Sequence, residues 1–497
     1  MYLAATPIGN IDDVSKRFLD VVKEADIIAC EDTRNTALLL SRLGIKEKKL
    51  VSCYSQNEVS QASKLIDEVK NKNLVLVYVS DAGTPGISDP GSLLIKEAIV
   101  MKILVLNCGS SSIKYALYDM DTKKVMTSGG AERVGLDGAF VKVKLANGEK
   151  KQIMHDIPEH TEGVKFIFSL LTDPEIGVIK DLKEIDAVGH RMVHGGEKFN
   201  KSVVLTDEVL KVFEECSDLA PLHNPANLKG VKAVSELMPD LPQVGVFDTA
   251  FHQTMPAKAY MYAIPYELYE NYGVRRYGFH GTSHRYVSAR ACEFLGVNPA
   301  EKKVITCHIG NGGSVAAVDG GKCIDTSMGL TPLEGLMMGT RSGDIDGGAI
   351  AFLQKKLGLD ADGISNLLNK KSGVMGVTGI SSDMREIDAA SDAGDEKAIL
   401  ALDMYFYRIK KYVGAYAAAM GGADIIVFTA GVGENQSNMR EAVCKDMEWM
   451  GIKFDVEKNK TIHGEEAIIS TPDSKVTVVV IPTDEELMIA TDTMNLL

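Results

Sequence analysis

No two cysteines in this 497-residue chain are spaced as a CxxC pair; the eight present (Cys30, Cys53, Cys108, Cys216, Cys292, Cys307, Cys323 and Cys444) are scattered. That scatter argues against a zinc site or a disulfide frame and for reduced thiols in a cytoplasmic protein. No run of about 18 apolar residues occurs, so no segment reads as a membrane-spanning helix. The opening "MYLAATPIGNIDDV" lacks the basic stretch and apolar core of a signal peptide. Cations are in deficit, with a formal net charge of −14. This argues against nonspecific nucleic-acid binding, which needs Lys- and Arg-rich surfaces, and leaves nucleotide binding to a local pocket. The Walker pattern GxxxxGK[ST] is also absent.

What remains is an ordinary globular composition, 45% apolar and 25% charged. The length suggests about three domains at roughly 150 residues each. In the first hundred residues, three polar or Gly/Pro-rich phrases each follow a short apolar strand pattern: "ATPIGN" (Ala5–Asn10), "EDTRNTALLLSRLGI" (Glu31–Ile45) and "SDAGTPGISDPG" (Ser80–Gly91). Helical patterns lie between them, which is α/β organisation with ligand loops at strand ends. At "IVMKILVLNC", Met101 then begins what reads as the first strand of a second protein. The seam has no Gly/Ser or Pro linker, and Met101 resembles a start residue.

Beyond Met101, "LVLNCGSSSIKYAL" (Leu104–Leu117) and "VITCHIGNGGSVAAV" (Val304–Val318) share one plan of strand, Gly/Ser/Asn turn, strand. They lie roughly 200 residues apart, too far for a solenoid repeat, so a duplicated domain is the simpler reading. "IIVFTAGVGEN" (Ile425–Asn435) adds a third Gly-rich turn after a strand. Three such turns suit a nucleotide, because Gly lets backbone N–H groups approach phosphate oxygens.

Taken together, the three N-terminal phrases resemble the first part of the ribosomal-RNA ribose methyltransferases of the tetrapyrrole-methylase superfamily. Those enzymes bind S-adenosylmethionine between two α/β domains. Here the pattern stops at "KEAIV" before a second domain, so residues 1–100 are expected to be inactive in methyl transfer. From Met101 to Leu497 the chain resembles the acetate kinase family. The phrases that carry the resemblance are "NCGSSSIK", "GHRMVHGG", "APLHNP", "VFDTAFHQTMP", "RYGFHGTSH", "HIGNGGS", "TPLEGLMMGTRSGDID", "FTAGVGEN" and "PTDEELMIA". The resemblance implies the duplicated two-domain α/β fold of the sugar kinase, Hsp70 and actin superfamily. Expected kinase domains are 101–250 plus 485–497 and 251–484. It also implies reversible transfer of the ATP γ-phosphoryl to acetate, with Mg²⁺ or Mn²⁺, a homodimer, and neither nucleic acid nor membrane as partner. Propionate or another short-chain acid is the alternative acceptor. An Hsp70-like ATP switch would lack the paired arginines and acyl pocket described next.

Carried over residue by residue, the resemblance assigns Arg191, Asp248, His280 and Arg341 to catalysis. The chemistry suits them: guanidinium forks match carboxylate and phosphoryl oxygens, and the transition state spreads negative charge over the moving group. His223 and His308 fall in matched motifs as supporting residues. Val193, Leu222, Phe279 and Pro332 are implied to line the acetate methyl pocket, alongside Arg191. Asn107, Ser110, Ser112, Lys114, His308, Asn311, Gly312, Asp383, Met384, Arg385, Gly431 and Asn435 are implied for ATP, with Asn107 and Glu485 at the metal. Glu486 adjoins Glu485, and the choice between them stays open at this point. Three residues depart from the family pattern: Cys108 in the first loop, Gly347 for a Pro, and Asp484 for an Asn, the last adding charge beside the expected metal site.

Overall fold

The computed structural model describes residues 1–54, 57–72, 74–81, 83, 94, 101–145, 148–221 and 223–497. The chain divides into two units, one of Met1–Met101 with Asp119–Lys124, the other of Lys102–Tyr118 with Val125–Leu497.

In the first unit, four short strands, β1 (Tyr2–Ala4), β2 (Ile27–Cys30), β3 (Lys49–Ser52) and β4 (Leu76–Val79), form a parallel sheet in the order β1-β4-β2-β3. The continuous apolar run of β2 follows from burial on both faces. Ile28 and Cys30 join a core with Phe18, Val22 and Leu40, while Ile27 and Ala29 join another with Ala62, Leu65 and Ile66. "ATPIGN" and the start of "SDAGTPGISDPG" meet beyond the strand ends, where Thr6 N donates to Gly83 O at 2.9 Å. Asn35 Nδ2 donates to Asp81 Oδ2 at 2.8 Å, bringing "EDTRN" to the same end. Most of Ser80–Gly91 and the seam before Met101 lie outside the described residues.

The second unit holds two sheets. The first takes β5 (Lys102–Cys108), β6 (Ser112–Asp119), β7 (Lys124–Glu132), β8 (Phe140–Lys144), β9 (Lys150–Met154), β10 (Ala187–Met192), β11 (Val203–Val204) and β12 (Gln243–Phe247). The second takes β13 (Lys303–Ile309), β14 (Gly313–Asp319), β15 (Lys322–Thr326), β16 (Ile425–Thr429), β17 (Ala467–Ile468) and β18 (Thr477–Val480). Their orders are β11-β12-β10-β5-β6-β7-β8-β9 and β15-β14-β13-β16-β18-β17. Read from the short edge strand, β11-β12-β10-β5-β6-β7 repeats as β17-β18-β16-β13-β14-β15. In both, the central strands run parallel and the short edge strand antiparallel. The duplication expected from the two turn phrases is therefore present strand for strand, with β8 and β9 as an addition to the first copy.

The last helix, Glu485–Leu496, returns to the first sheet: a Cβ on Gly189 of β10 would sit 2.6 Å from Ile489 Cγ2 and 2.5 Å from Thr493 Oγ1. The helix Gly281–Phe294 packs on the second sheet, where Val287, Ala291 and Cys292 share a core with Val304, Val427 and Val479.

The three departures acquire local reasons. Cys108 is buried against Gly230, where an added Cβ would meet its Sγ at 2.4 Å. Gly347 opens the helix Gly347–Leu357 behind the cap Asp346, a first-turn position where Pro is also favoured. Asp484 caps the helix Glu485–Leu496, its Oδ1 accepting from Leu487 N at 2.8 Å and from Tyr118 Oη at 3.1 Å. Asp and Asn cap equally well, so an Asp here keeps the helix cap.

Candidate active site

Both sheets aim the C-terminal ends of their parallel strands at one region, the usual place for ligands in α/β proteins. From the first sheet come Asn107 on β5, Arg191 on β10 and Asp248 just after β12. Arg191 Nη2 donates to Asp248 Oδ2, and Arg191 Nη1 lies 3.4 Å from Asn107 Oδ1. Arg191 Nε is 3.9 Å from Glu485 Oε2, which makes Glu485 the carboxylate that faces this cluster. Asp248 is 1% exposed. Burial pushes its carboxyl upward, and the Arg191 guanidinium opposes that rise. Thr282 Oγ1 approaches Asp248 Oδ1 at 3.4 Å. Asp248 thus sits deep beside Arg191 as its orienting anion. Lys114 is exposed on β6, and its charge reaches Glu485.

From the second sheet and its flanking helix come His280, His308, Asn311 and Gly312. His280 precedes the helix Gly281–Phe294 in the left-handed region (φ 56°), an uncommon conformation for a residue with a Cβ. Such positions concentrate at functional sites. Its ring stacks on His308, centroids 4.2 Å apart. His308 Nδ1 lies 2.8 Å from Ser283 Oγ, which is 2.8 Å from Thr483 Oγ1. Burial and the surrounding histidines and arginines hold His280 neutral, and burial brings His308 down to about 4. Burial lowers His223, and the charges of Arg191 and Arg341 add to that.

Arg341 completes this group. Its Nη1 donates to Pro332 O at 3.0 Å and lies 3.5 Å from Met338 Sδ. A Cβ on Gly312 would stand 3.4 Å from Arg341 Nη1 and 3.7 Å from His280 Cε1, so glycine keeps open the space between them. Val193 and Phe279 are buried together with Met328 and Met338. Leu222 lies outside the described residues.

A cavity of about 670 Å³ is lined by Asn311, Ser382, Asp383, Met384, Arg385, Gly431, Val432, Asn435 and Gln436. It gathers every residue expected at the adenosine end. Asp383 Oδ1 accepts from Arg385 N at 3.0 Å, capping the helix Met384–Asp392, and its carboxylate also binds the Arg385 guanidinium. Ser110 and Ser112 flank the β5–β6 turn, where Gly109 N donates to Ser112 O at 2.8 Å.

The structure adds residues that the motifs alone did not single out. Glu434 Oε1 accepts from Ala430 N at 2.8 Å and Thr483 N at 3.1 Å, tying the turn after β16 to the one after β18. Arg440 is fully buried without a carboxylate partner among the described residues. It donates to Gly433 O at 3.0 Å, Glu434 O at 2.8 Å and Ile462 O at 2.9 Å, bracing the Gly-rich turn beside the cavity. "GVGENQSNMR" carries Arg440 in plain sight, but a helical arginine normally reads as a solvated charge.

Residues 102–491 match the model of the Acetokinase family, and residues 1–104 match that of the Tetrapyrrole (Corrin/Porphyrin) Methylases. An acetate kinase of Bacteroides thetaiotaomicron is 72% identical over 397 residues, covering 80% of this chain and 100% of that protein. The crystal structure of Porphyromonas gingivalis acetate kinase matches with a TM-score of 0.78 at 62% identity, over 80% of this chain and 99% of that one. A propionate kinase from Francisella tularensis matches at 0.75 and 42%, over 80% of this chain and 100% of its own. With its duplicated sheets, its arginine and histidine groups and these matches, the chain belongs to the acetate kinase family, carrying a tetrapyrrole-methylase segment at its N-terminus.

Proposed function

We propose that the unit beginning near Met101 moves the γ-phosphoryl of ATP reversibly onto acetate, giving acetyl phosphate and ADP. The observation that carries this reading is Arg341. Its half-buried guanidinium has no carboxylate partner among the described residues, and it faces the Gly312 gap beside His280. A desolvated cation left unpaired is costly unless an anion completes it. An acetate oxygen attacks phosphorus as the bond to the ADP oxygen breaks, and ADP leaves with that electron pair. The acceptor is already ionised, so no general base is required, which agrees with histidines held neutral. Arg191, oriented by Asp248, and Arg341 stabilise the equatorial charge, and His280 donates to the same group.

Val193, Phe279, Met328 and Met338 supply the apolar wall for the acetate methyl. On this reading residues 101–250 plus 485–497 form one kinase domain and 251–484 the other, with residues from both at the acetate end and the nucleotide cavity within 251–484. Mg²⁺ (or Mn²⁺) would neutralise the ATP phosphates when bound. Asn107, Asp248 and Glu485 offer oxygens for it. Among the described residues no group of three ligating side chains forms a dedicated cage, which suits an ion that keeps its waters and arrives with phosphates. Apolar residues exposed on and beside two helices, Ile345, Phe352, Leu400 and Tyr407, support a homodimer. A native mass of one 53.7-kDa chain in solution would exclude it. We place the reaction in the cytoplasm, where ATP is at hand; no described helix is long and apolar enough to cross a membrane.

The test is a substrate panel. Acetate is expected to support phosphorylation, with kcat/KM for propionate lower by about tenfold or more, the effect of one methylene in a closed pocket. The match to a propionate kinase supports the second reading, and equal efficiencies would favour it. For the N-terminal unit we infer no methyl transfer, because the enzymes it resembles hold S-adenosylmethionine between two domains. Isothermal calorimetry is expected to register no stoichiometric binding of that cofactor, and a clear one-to-one isotherm would overturn the inference.

A further inference from the structure

Behind His280 runs a line of buried polar groups. His280 Nδ1 lies 2.8 Å from Ser314 Oγ, Ser314 Oγ lies 2.8 Å from His284 Nε2, and His284 Nδ1 lies 2.7 Å from Thr306 Oγ1. Ser314, His284 and Thr306 have no solvent exposure. The other hydrogen bond of Thr306 Oγ1, to Ala316 O, is long at 3.5 Å. His252 supports the same assembly from the side, its Nε2 donating to the Phe279 carbonyl at 2.9 Å and so holding the peptide that enters the left-handed His280.

A neutral imidazole has one N–H and one lone pair, and a hydroxyl has one proton to give. Along such a chain the direction of one bond determines all the others. A phosphoryl oxygen can only accept, so the ring edge facing it must present Nε2–H. His280 Nδ1 must then accept from the Ser314 hydroxyl. Ser314 Oγ must in turn accept from His284 Nε2–H, and His284 Nδ1 must accept from the Thr306 hydroxyl. We propose that Thr306, His284 and Ser314 are positioning residues that form a one-way hydrogen-bond chain, holding His280 as the Nε2–H tautomer for the transferring phosphoryl. This rests on the phosphoryl-binding reading of His280. Its distinct content is that a threonine inside a strand, three hydrogen bonds away, determines which ring nitrogen of His280 carries the proton.

Two measurements test it. In protein labelled with ¹⁵N-histidine, His280 and His284 are both expected to show an unprotonated Nδ1 and a protonated Nε2; an Nδ1–H signal from either ring in the wild type overturns the proposal. In kinetics, Thr306→Val, which keeps shape and removes the donor, is expected to lower kcat on the order of tenfold, with both KM values little changed. Thr306→Ser is expected to restore kcat. A Thr306→Val enzyme with wild-type kcat, or a Thr306→Ser enzyme as slow as it, overturns the chain. A His280→Gln enzyme that keeps full turnover would instead remove the phosphoryl-binding reading, whereas the nitrogen shifts report the chain on their own.

Discussion

Replacing Arg341 with alanine is expected to lower kcat by about 10²–10³-fold, the effect of deleting one group that stabilises transition-state charge. The substitution is a clean one. Arg341 is anchored through the Pro332 carbonyl, so its loss leaves no buried carboxylate behind. Arg191→Ala should match it in turnover and differ in stability. Asp248, 1% exposed, would lose its counter-charge, and stranding a buried ion typically costs about 3–5 kcal/mol. Single-turnover rates with acetate and ATP, read beside urea midpoints, separate the two cases. Near-wild-type turnover in Arg341→Ala would refute its role.

The second large effect is loss of stability in acid. His190, His194, His252 and His308 are buried, and burial brings each down to about 4. Their ordinary value is about 6.5, which the unfolded chain recovers. Between those values the unfolded state binds more protons. The stability these groups contribute is therefore complete above about pH 6.5 and is lost as pH falls toward 4. Each group accounts for on the order of 2 kcal/mol at pH 5. Four together rival a typical total folding stability of about 5–15 kcal/mol. The urea midpoint is expected to fall steeply between pH 6.5 and 5, with unfolding without denaturant near or below pH 5. A midpoint unchanged from pH 7.5 to 5 would contradict this.

The buried histidines differ in how they could be found. His308 lies in the Gly-rich turn phrase "HIGNGGS", whose residue types suggest phosphate contact, and His280 in "RYGFHGTSH", where only the family resemblance pointed to such a role. His252 and His284 sit in equally visible phrases, but nothing local reveals that they face each other at a ring distance of 5.7 Å. Met328 and Met338 carry no polar signal, and only the tertiary packing brings them against Val193 and Phe279. Arg440 has the composition of a surface residue, yet four main-chain carbonyls accept its hydrogen bonds.

By itself the sequence determined what short-range chemistry can express. Strand runs ending in Gly-rich turns, the duplicated turn phrase, the seam at Met101, and the identity of Arg191, Asp248, His280 and Arg341 all lie within a few consecutive residues. The tertiary structure decided which of these groups meet. Arg191 and Asp248 are 57 residues apart and meet because β10 and β12 are paired in register. Thr306 and Ser314 reach His284, and Ser314 reaches His280, because the β13–β14 hairpin packs beside the helix Gly281–Phe294. Sheet register and helix packing depend on burial summed over many residues, and no short phrase contains that sum. For that reason the parts of the site were legible in the sequence, and the hydrogen bonds that orient them were not.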